Sequence, residues 1–181
     1  MMRKIIFASV LALVALTVKA QDEEEPKEKG FKKENLFFGG SFGLSFGSYT
    51  LINVSPQVGY KFNRYFSAGT GVNLIYSSSK VFDFRENYGV AGLNIFGRVY
   101  PIQQAFVQLQ PEANYTWGKQ KWYDGTEYKL DGKIVPSLLA GAGVAIPIGR
   151  GAMLVMLQYD LLQQDRSPYG RNAFVSIGFN F

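Results

Sequence analysis

The sequence predicts an all-β protein, an eight-stranded antiparallel up-and-down barrel whose apolar face points outward to lipid, making it a transmembrane barrel. Three observations carry that expectation. Residues 36 to 181 fall into eight runs of alternating side chains. The parity opposite the apolar one is crowded with glycine, serine and amides, and the aromatic residues gather mainly at the two ends of the runs. A period of two places successive side chains on opposite faces of a strand, whereas a helix would repeat every 3.6 residues.

The chain opens on a segment that does not belong to the barrel. Arg3 and Lys4 precede a nearly unbroken apolar stretch, Ile5 to Val18, and Val18-Lys19-Ala20 ends in a small residue. That is the layout of a secretory signal peptide over residues 1–20, too short to span a bilayer as a helix. Residues 21–35 mix Asp22, Glu23, Glu24 and Glu25 with Lys27, Lys29, Lys32 and Lys33, the composition of a solvated periplasmic linker. Residues 36–181 then form the barrel.

The eight runs are 36 to 47, 50 to 62, 65 to 77, 88 to 100, 104 to 123, 126 to 148, 152 to 162 and 172 to 181. Phe38, Phe42 and Phe46 mark the apolar face of the first; Val54, Leu74, Leu93, Tyr115, Leu138, Leu157 and Ile177 mark it in the others. The opposite face includes Gly39, Ser41, Asn53, Gln57, Gly59, Lys61, Gly71, Asn73, Asn94, Arg98, Gln108, Glu112, Asn114 and, near the outer end, Asp160. Glycine and serine suit a narrow lumen in which opposing walls crowd each other, so the polar parity is read as inward and the bulky apolar residues as outward.

Aromatic belts test this reading, because lipid-facing barrels concentrate Tyr, Trp and Phe at both membrane edges. Tyr60, Phe62, Phe66, Phe179 and Phe181 fall at the rim near the termini, and Phe46, Tyr76, Tyr115, Trp117 and Tyr159 at the far rim. Connections near 63–64, 102–103 and 150–151 are short, while 78–87 and 163–171 read as longer far-side loops. Asp124-Gly125 reads as a two-residue hairpin turn that sets Tyr115 opposite Ile134 and Glu112 opposite Ser137. Pro56, Pro111 and Pro136 lie inside strands, where each forfeits a ladder bond, and local bulges are expected there.

Composition removes several chemistries. The sequence has no histidine and no cysteine, which excludes Ser-His and Cys-His nucleophiles, His-ligated zinc and disulfides. No catalytic residue, cofactor-binding residue or metal ligand is expected. Of the 19 basic side chains, Arg3, Lys4 and Lys19 leave with the signal, so sixteen remain against 14 acidic ones, and nucleic acid is not an expected partner. The glycine-rich stretches at 39–43 and 141–143 lack the Lys-Ser/Thr of a phosphate loop and lie inside strands.

The final run, Ala173 to Phe181, ends in an aromatic residue preceded by alternating apolar ones. In this, and in the eight runs of residues 36–181, the chain resembles the small eight-stranded outer-membrane barrels of the OmpA and OmpX type. That resemblance implies a Gram-negative outer membrane, outer-membrane lipid and the assembly machinery as partners, and Phe179 and Phe181 as the assembly signal. Its members include anchors, adhesins, conduits and a few enzymes that rely on histidine, so the fold leaves function open. A structural or cell-surface interaction role is expected, with no catalysis; a narrow conduit or small-molecule-binding barrel is the alternative. Phe82, Phe84, Trp122, Tyr123 and Tyr128 are the surface-loop contact candidates for an extracellular or outer-membrane protein partner.

Glu112 falls near mid-barrel, with Lys61 and Arg98 as inward cations. A turn near residue 102 would set Arg98 opposite Phe106, six residues or roughly 20 Å from Glu112, too far for a direct pair. Gly92 and Ser137 would flank Glu112. Asn53, Gln57, Asn73 and Asn94 are then the expected donors, aided by water or Lys61.

Overall fold

In a computed structural model, residues 32–45, 49–80, 84–122 and 125–181 are described. The expected signal peptide and most of the charged linker lie outside these residues, as do Phe46, Phe82, Tyr123 and the side chain of Phe84. A short 3-10 turn, Lys33–Asn35, leads into eight strands: β1 Leu36–Ser45, β2 Tyr49–Lys61, β3 Phe66–Lys80, β4 Phe84–Ile102, β5 Ala105–Trp122, β6 Glu127–Ile148, β7 Gly151–Asp160 and β8 Phe174–Asn180. Each pairs antiparallel with the next, and β8 returns to β1 to close the barrel. The seam is held by Gly39↔Asn180, Gly40↔Phe179 and Ser41↔Gly178, with reciprocal backbone bonds between Phe38 and Phe181.

The outward face is the apolar one. Phe38, Phe42, Leu93, Ile95, Ile134, Leu157 and Val175 are each more than half exposed on their strands. Both rims carry aromatics: Phe62 contacts both Tyr60 and Phe66 at the near rim, and Tyr115 lies beside Trp117 at the far rim.

The inward face is less uniformly small than its glycines and serines suggest. Phe37, Phe96, Phe106, Leu154 and Met156 are buried toward the near end of the lumen, and Val90, Val135 and Leu139 are buried further along. Bulky apolar residues therefore occupy both parities, and the near end of the barrel is floored by packed rings rather than by small residues. Phe37 meets Phe96 and Tyr100 meets Phe106, with centroids 6.3 and 5.6 Å apart.

The strands differ from expectation at three places. Residues 78–87 are not a long loop: β3 runs to Lys80 and β4 resumes at Phe84, paired as far as Lys80↔Arg85. The 249-sum register of β5 and β6 holds from Ala105↔Val144 to Thr116↔Lys133, including Tyr115↔Ile134 and Glu112↔Ser137. Beyond that, β6 spends an extra residue before Gly118↔Leu130, so the hairpin closes with Trp122 N–H donating to Thr126 O rather than around a two-residue turn. Bulges do not form at Pro56 or Pro111: the ladder lapses beside each and resumes in the same register, from Val54↔Leu74 to Gln57↔Gly71 and from Asn94↔Glu112 to Gly97↔Leu109.

Pro136 has a different explanation. Leu138 N–H donates to Asp160 Oδ1 and Leu138 O accepts from Leu161 N–H, so the backbone of Leu138 faces β7. Two residues earlier, Pro136 faces the same side, but β7 pairs only from Leu139↔Asp160 onward. The missing N–H thus points to a free edge and forfeits nothing. That edge exists because β4, β5 and β6 span 19, 18 and 22 residues while β7 and β8 span 10 and 7, so the longer strands rise past the shorter ones on the far side.

Candidate functional site

The strongest concentration of buried polar chemistry is the lumen, where β5 places Gln108, Gln110, Glu112, Asn114 and Thr116 on its inward parity in succession. Residues i and i+2 on one face are neighbours, and here they are joined by hydrogen bonds. Arg98 Nε donates to Gln108, whose amide nitrogen donates to Gln110; Gln110 Nε2 donates to Glu112 Oε1 at 2.7 Å. From the other direction, Asn94 Nδ2 donates to Asn73 Oδ1 (2.7 Å), Asn73 Nδ2 to Asn114 Oδ1 (3.3 Å), and Asn114 Nδ2 to Glu112 Oε2 (2.8 Å).

Two arms of amides therefore converge on one carboxylate. The glutamine arm begins at a cation that can only donate and ends at an anion that can only accept, so every amide in it has one permitted orientation. Such a chain polarises along its length and is stronger than its separate bonds.

Arg98 is buried with its guanidinium over the rings of Phe96 and Phe106, at 4.5 and 5.6 Å from their centroids. Its Nη2 donates to Gln57 Oε1 at 3.2 Å. In the amide orientation that satisfies both of its atoms, Asn180 accepts from Arg98 Nη1 at 3.2 Å and donates to Phe179 O. Arg98 is thus held by amide oxygens and ring faces, with its opposite charge two amides away.

The third donor to Glu112 comes from the connection between β7 and β8. Tyr169 O–H donates to Glu112 Oε2 at 2.7 Å, and its ring stacks on Phe174 at 5.1 Å. Ser167 Oγ donates to Asp160 Oδ2 and accepts from Tyr169 N–H. Arg166 O accepts from Tyr88 O–H, and Arg166 Nη2 donates to Asp131 O. Residues 161–173 are therefore tied to β4, β5, β6 and β7 and form a plug across the far end of the lumen. Between plug and floor a cavity of about 50 Å³ remains, room for a few waters, lined by Arg98, Gln57, Gln110, Gln158, Tyr169 and Asn180 among others.

The sequence-predicted residues separate into three groups. Arg98, Gln57, Asn73, Asn94, Gln108, Glu112 and Asn114 join one network, and Asp160 joins it through Ser167 and Tyr169. Asn53 lies inward but bonds Ser55 Oγ, outside that network. Lys61 is exposed at the end of β2 and takes no part in it.

The expected donors to Glu112 were the wrong ones. None of Asn53, Gln57, Asn73 and Asn94 bonds it directly; Gln110, Asn114 and Tyr169 do. Its β4 rung neighbour is Asn94 and not Gly92, and Arg98 faces Gln108 and not Phe106. The cause is the turn, which falls at Gln103-Gln104 rather than at residue 102 and moves the pairing by three residues; one extra β4 residue between Val99↔Val107 and Ile102↔Ala105 takes back one, leaving a shift of two. Arg98 is thus four residues along from Glu112, roughly 13 Å at ~3.3 Å each, still beyond direct contact.

Of the contact candidates, Tyr128 is exposed and Trp122 half-buried at the tip of the risen sheet, while Phe179 and Phe181 are exposed at the near rim. Sequence reasoning missed Tyr169, Ser167 and Arg166, because a loop residue has no parity from which to read its direction. Among the described residues no cluster of acidic side chains is arranged to hold a metal ion.

No family model matches the chain, and no curated protein matches it. Among solved structures it is similar to the translocator domain of the autotransporter NalP from Neisseria meningitidis, at 12% identity over 97% of this chain and 96% of that one, with a TM-score of 0.31. A likeness that distant does not bear on function.

Proposed function

We propose that the protein is an outer-membrane barrel of the OmpA/OmpX type, closed to solutes and without catalytic activity, with a structural or cell-surface interaction role. The observation that carries this reading is the outward apolar band between two aromatic rims, wrapped around a lumen that holds the buried charges. A soluble barrel would reverse those faces, because exposed Leu93, Ile95, Ile134 and Leu157 lose water contact only in lipid. The floor and the plug argue against a conduit. Glu112 and Asp160 each accept three hydrogen bonds from fixed donors, which leaves neither free to act as a base.

The signal peptide, the assembly role of Phe179 and Phe181, and a protein partner engaged through Phe82, Phe84, Trp122, Tyr123 and Tyr128 belong to the same proposal. The test is solubility and conductance together. Purified protein should need detergent or lipid to remain folded, should run with altered mobility when unheated, and should give only small, rare current steps in planar bilayers. Folded, monodisperse protein in plain buffer would refute the membrane reading; large stable channels would refute the closed barrel.

A further inference from the structure

We propose that the outward face of β4, β5 and β6, just beyond the far aromatic rim, binds the phosphate-bearing headgroups of anionic lipid; this rests on the membrane reading above. The register assembles the site. Arg85 lies opposite Lys121, which lies opposite Glu127, and one rung nearer the barrel Lys119 lies opposite Lys129. All five residues are exposed. On β5 the exposed parity runs through Tyr115 and Trp117 to Lys119 and Lys121, so the cations continue the column that forms the far rim.

Four cations thus occupy two adjacent rungs, and the single carboxylate among them, Glu127, is spent on Lys121 at 3.3 Å. Residues directly opposite in an antiparallel pair have Cβ atoms roughly 5 Å apart, and like charges so placed destabilise the sheet. Arg85/Lys121 and Lys119/Lys129 are both such pairs. An anion bridging them converts repulsion into attraction, and phosphate oxygens match both the guanidinium fork and the ammonium groups. The cluster is an open sheet face, not a pocket, which suits a ligand held by its tails as well as its head. Acyl chains lying along Ile134, Leu93 and Ile95 would bring a headgroup phosphate level with Lys119 and Lys129, above the ring plane of the rim.

Lipid competition measures this directly. The full chain is reconstituted into phosphatidylcholine vesicles, with brominated phosphatidylcholine or a brominated bisphosphorylated glycolipid as quencher of Trp117 and Trp122. Inserted protein should prefer the anionic lipid by about fivefold or more, the factor that one surface cation supplies. The preference should fall as salt rises. It should persist in the double variant Lys119→Arg/Lys129→Arg and fall about fivefold or more in Lys119→Gln/Lys129→Gln, with unheated gel mobility unchanged in both.

Equal quenching by the two lipids in inserted wild-type protein would overturn the site and leave the membrane barrel standing. Loss of the preference on adding inorganic phosphate at constant ionic strength would make this a free-anion site and overturn the lipid assignment. Failure to insert into either vesicle would overturn both.

Discussion

Replacing Glu112 tests whether the two amide arms work as described. Glu112→Leu removes the acceptor for Gln110, Asn114 and Tyr169 at once. A buried donor left without a partner costs about 1 to 3 kcal/mol, so three such donors, with some relief from repacking of the Tyr169 loop, predict a loss of about 3 to 6 kcal/mol. Glu112→Gln behaves differently because the arms differ. The glutamine arm is pinned by Arg98, so the new amide must present its oxygen to Gln110 and its nitrogen to Asn114 and Tyr169. Tyr169 O–H can rotate to accept. Asn114, Asn73 and Asn94 can all turn over together, because the arm ends at Asn94 Oδ1, which has no hydrogen-bond partner among the described residues. What is lost is the charge: bonds to an ion are worth about 1 kcal/mol more than neutral ones, and a net loss of about 1 to 3 kcal/mol is expected. Urea titration in lipid vesicles, read by tryptophan fluorescence and unheated gel mobility, separates the two variants. Equal stability of Glu112→Leu and Glu112→Gln would refute the reasoning, since it would mean that the converging donors do not need an acceptor.

Three further outcomes are expected. Ile95→Arg, midway between the rims on the outward face, should destabilise the inserted barrel by about 2 to 4 kcal/mol in the same titration, whereas Ile95→Leu should be neutral. Shortening the plug across residues 163–170 should leave current steps small in planar bilayers, because Phe37, Phe96 and Phe106 still floor the lumen; adding Phe96→Ala and Phe106→Ala should produce resolvable channels. Gly92→Ala would drive a methyl into Asn114 and the Ala113 carbonyl, both fixed, and should cost about 1 to 3 kcal/mol, while Gly132→Ala would meet only the far end of the exposed Tyr115 side chain and should be tolerated.

The contrast between face and rung shows what the sequence made legible. All eight strands and their outward parity are legible, because an apolar outer face and a polar lumen put opposite chemistries on alternate residues. The β4–β5 register nevertheless differs from the expected one by two residues. A slip of two preserves parity, so hydrophobic alternation cannot detect it, whereas a slip of one would have turned Leu93 inward and been visible at once. The turn at Gln103-Gln104 and the extra residue around Tyr100-Pro101 together shift the pairing by an even number, so alternation reads the same whether Gly92 or Asn94 stands beside Glu112. The aromatic floor escaped for a related reason: Phe37, Phe96 and Phe106 are compatible with either environment, and only Gly59 and Gly69, which leave room for the Phe37 and Phe96 rings, record that they point inward.

The plug follows from the unequal strands. β7 ends at Asp160 and β8 begins at Phe174, while β4, β5 and β6 continue outward, so one side of the far lumen would stand open beside a buried carboxylate. Residues 161–173 close it, and the end of β7 supplies the anchor, since Asp160 accepts from Leu138 N–H, Leu162 N–H and Ser167 O–H. The same inequality leaves the upper part of β6 without a strand partner on its β7 side, and an exposed edge invites another chain to pair with it. This edge is obstructed at successive points. Pro136 offers no N–H, the bulge at Asp131-Gly132 breaks the spacing of the ladder, and Arg166 from the plug occupies the Asp131 carbonyl. Strand addition is therefore the least favourable way for a partner to engage the far side. On the closed-barrel reading proposed above, with the edge obstructed, the surfaces that a partner would meet are the side-chain faces of the risen sheet: the tip that carries Trp122 and Tyr128, and the outward rungs of Arg85, Lys119, Lys121 and Lys129.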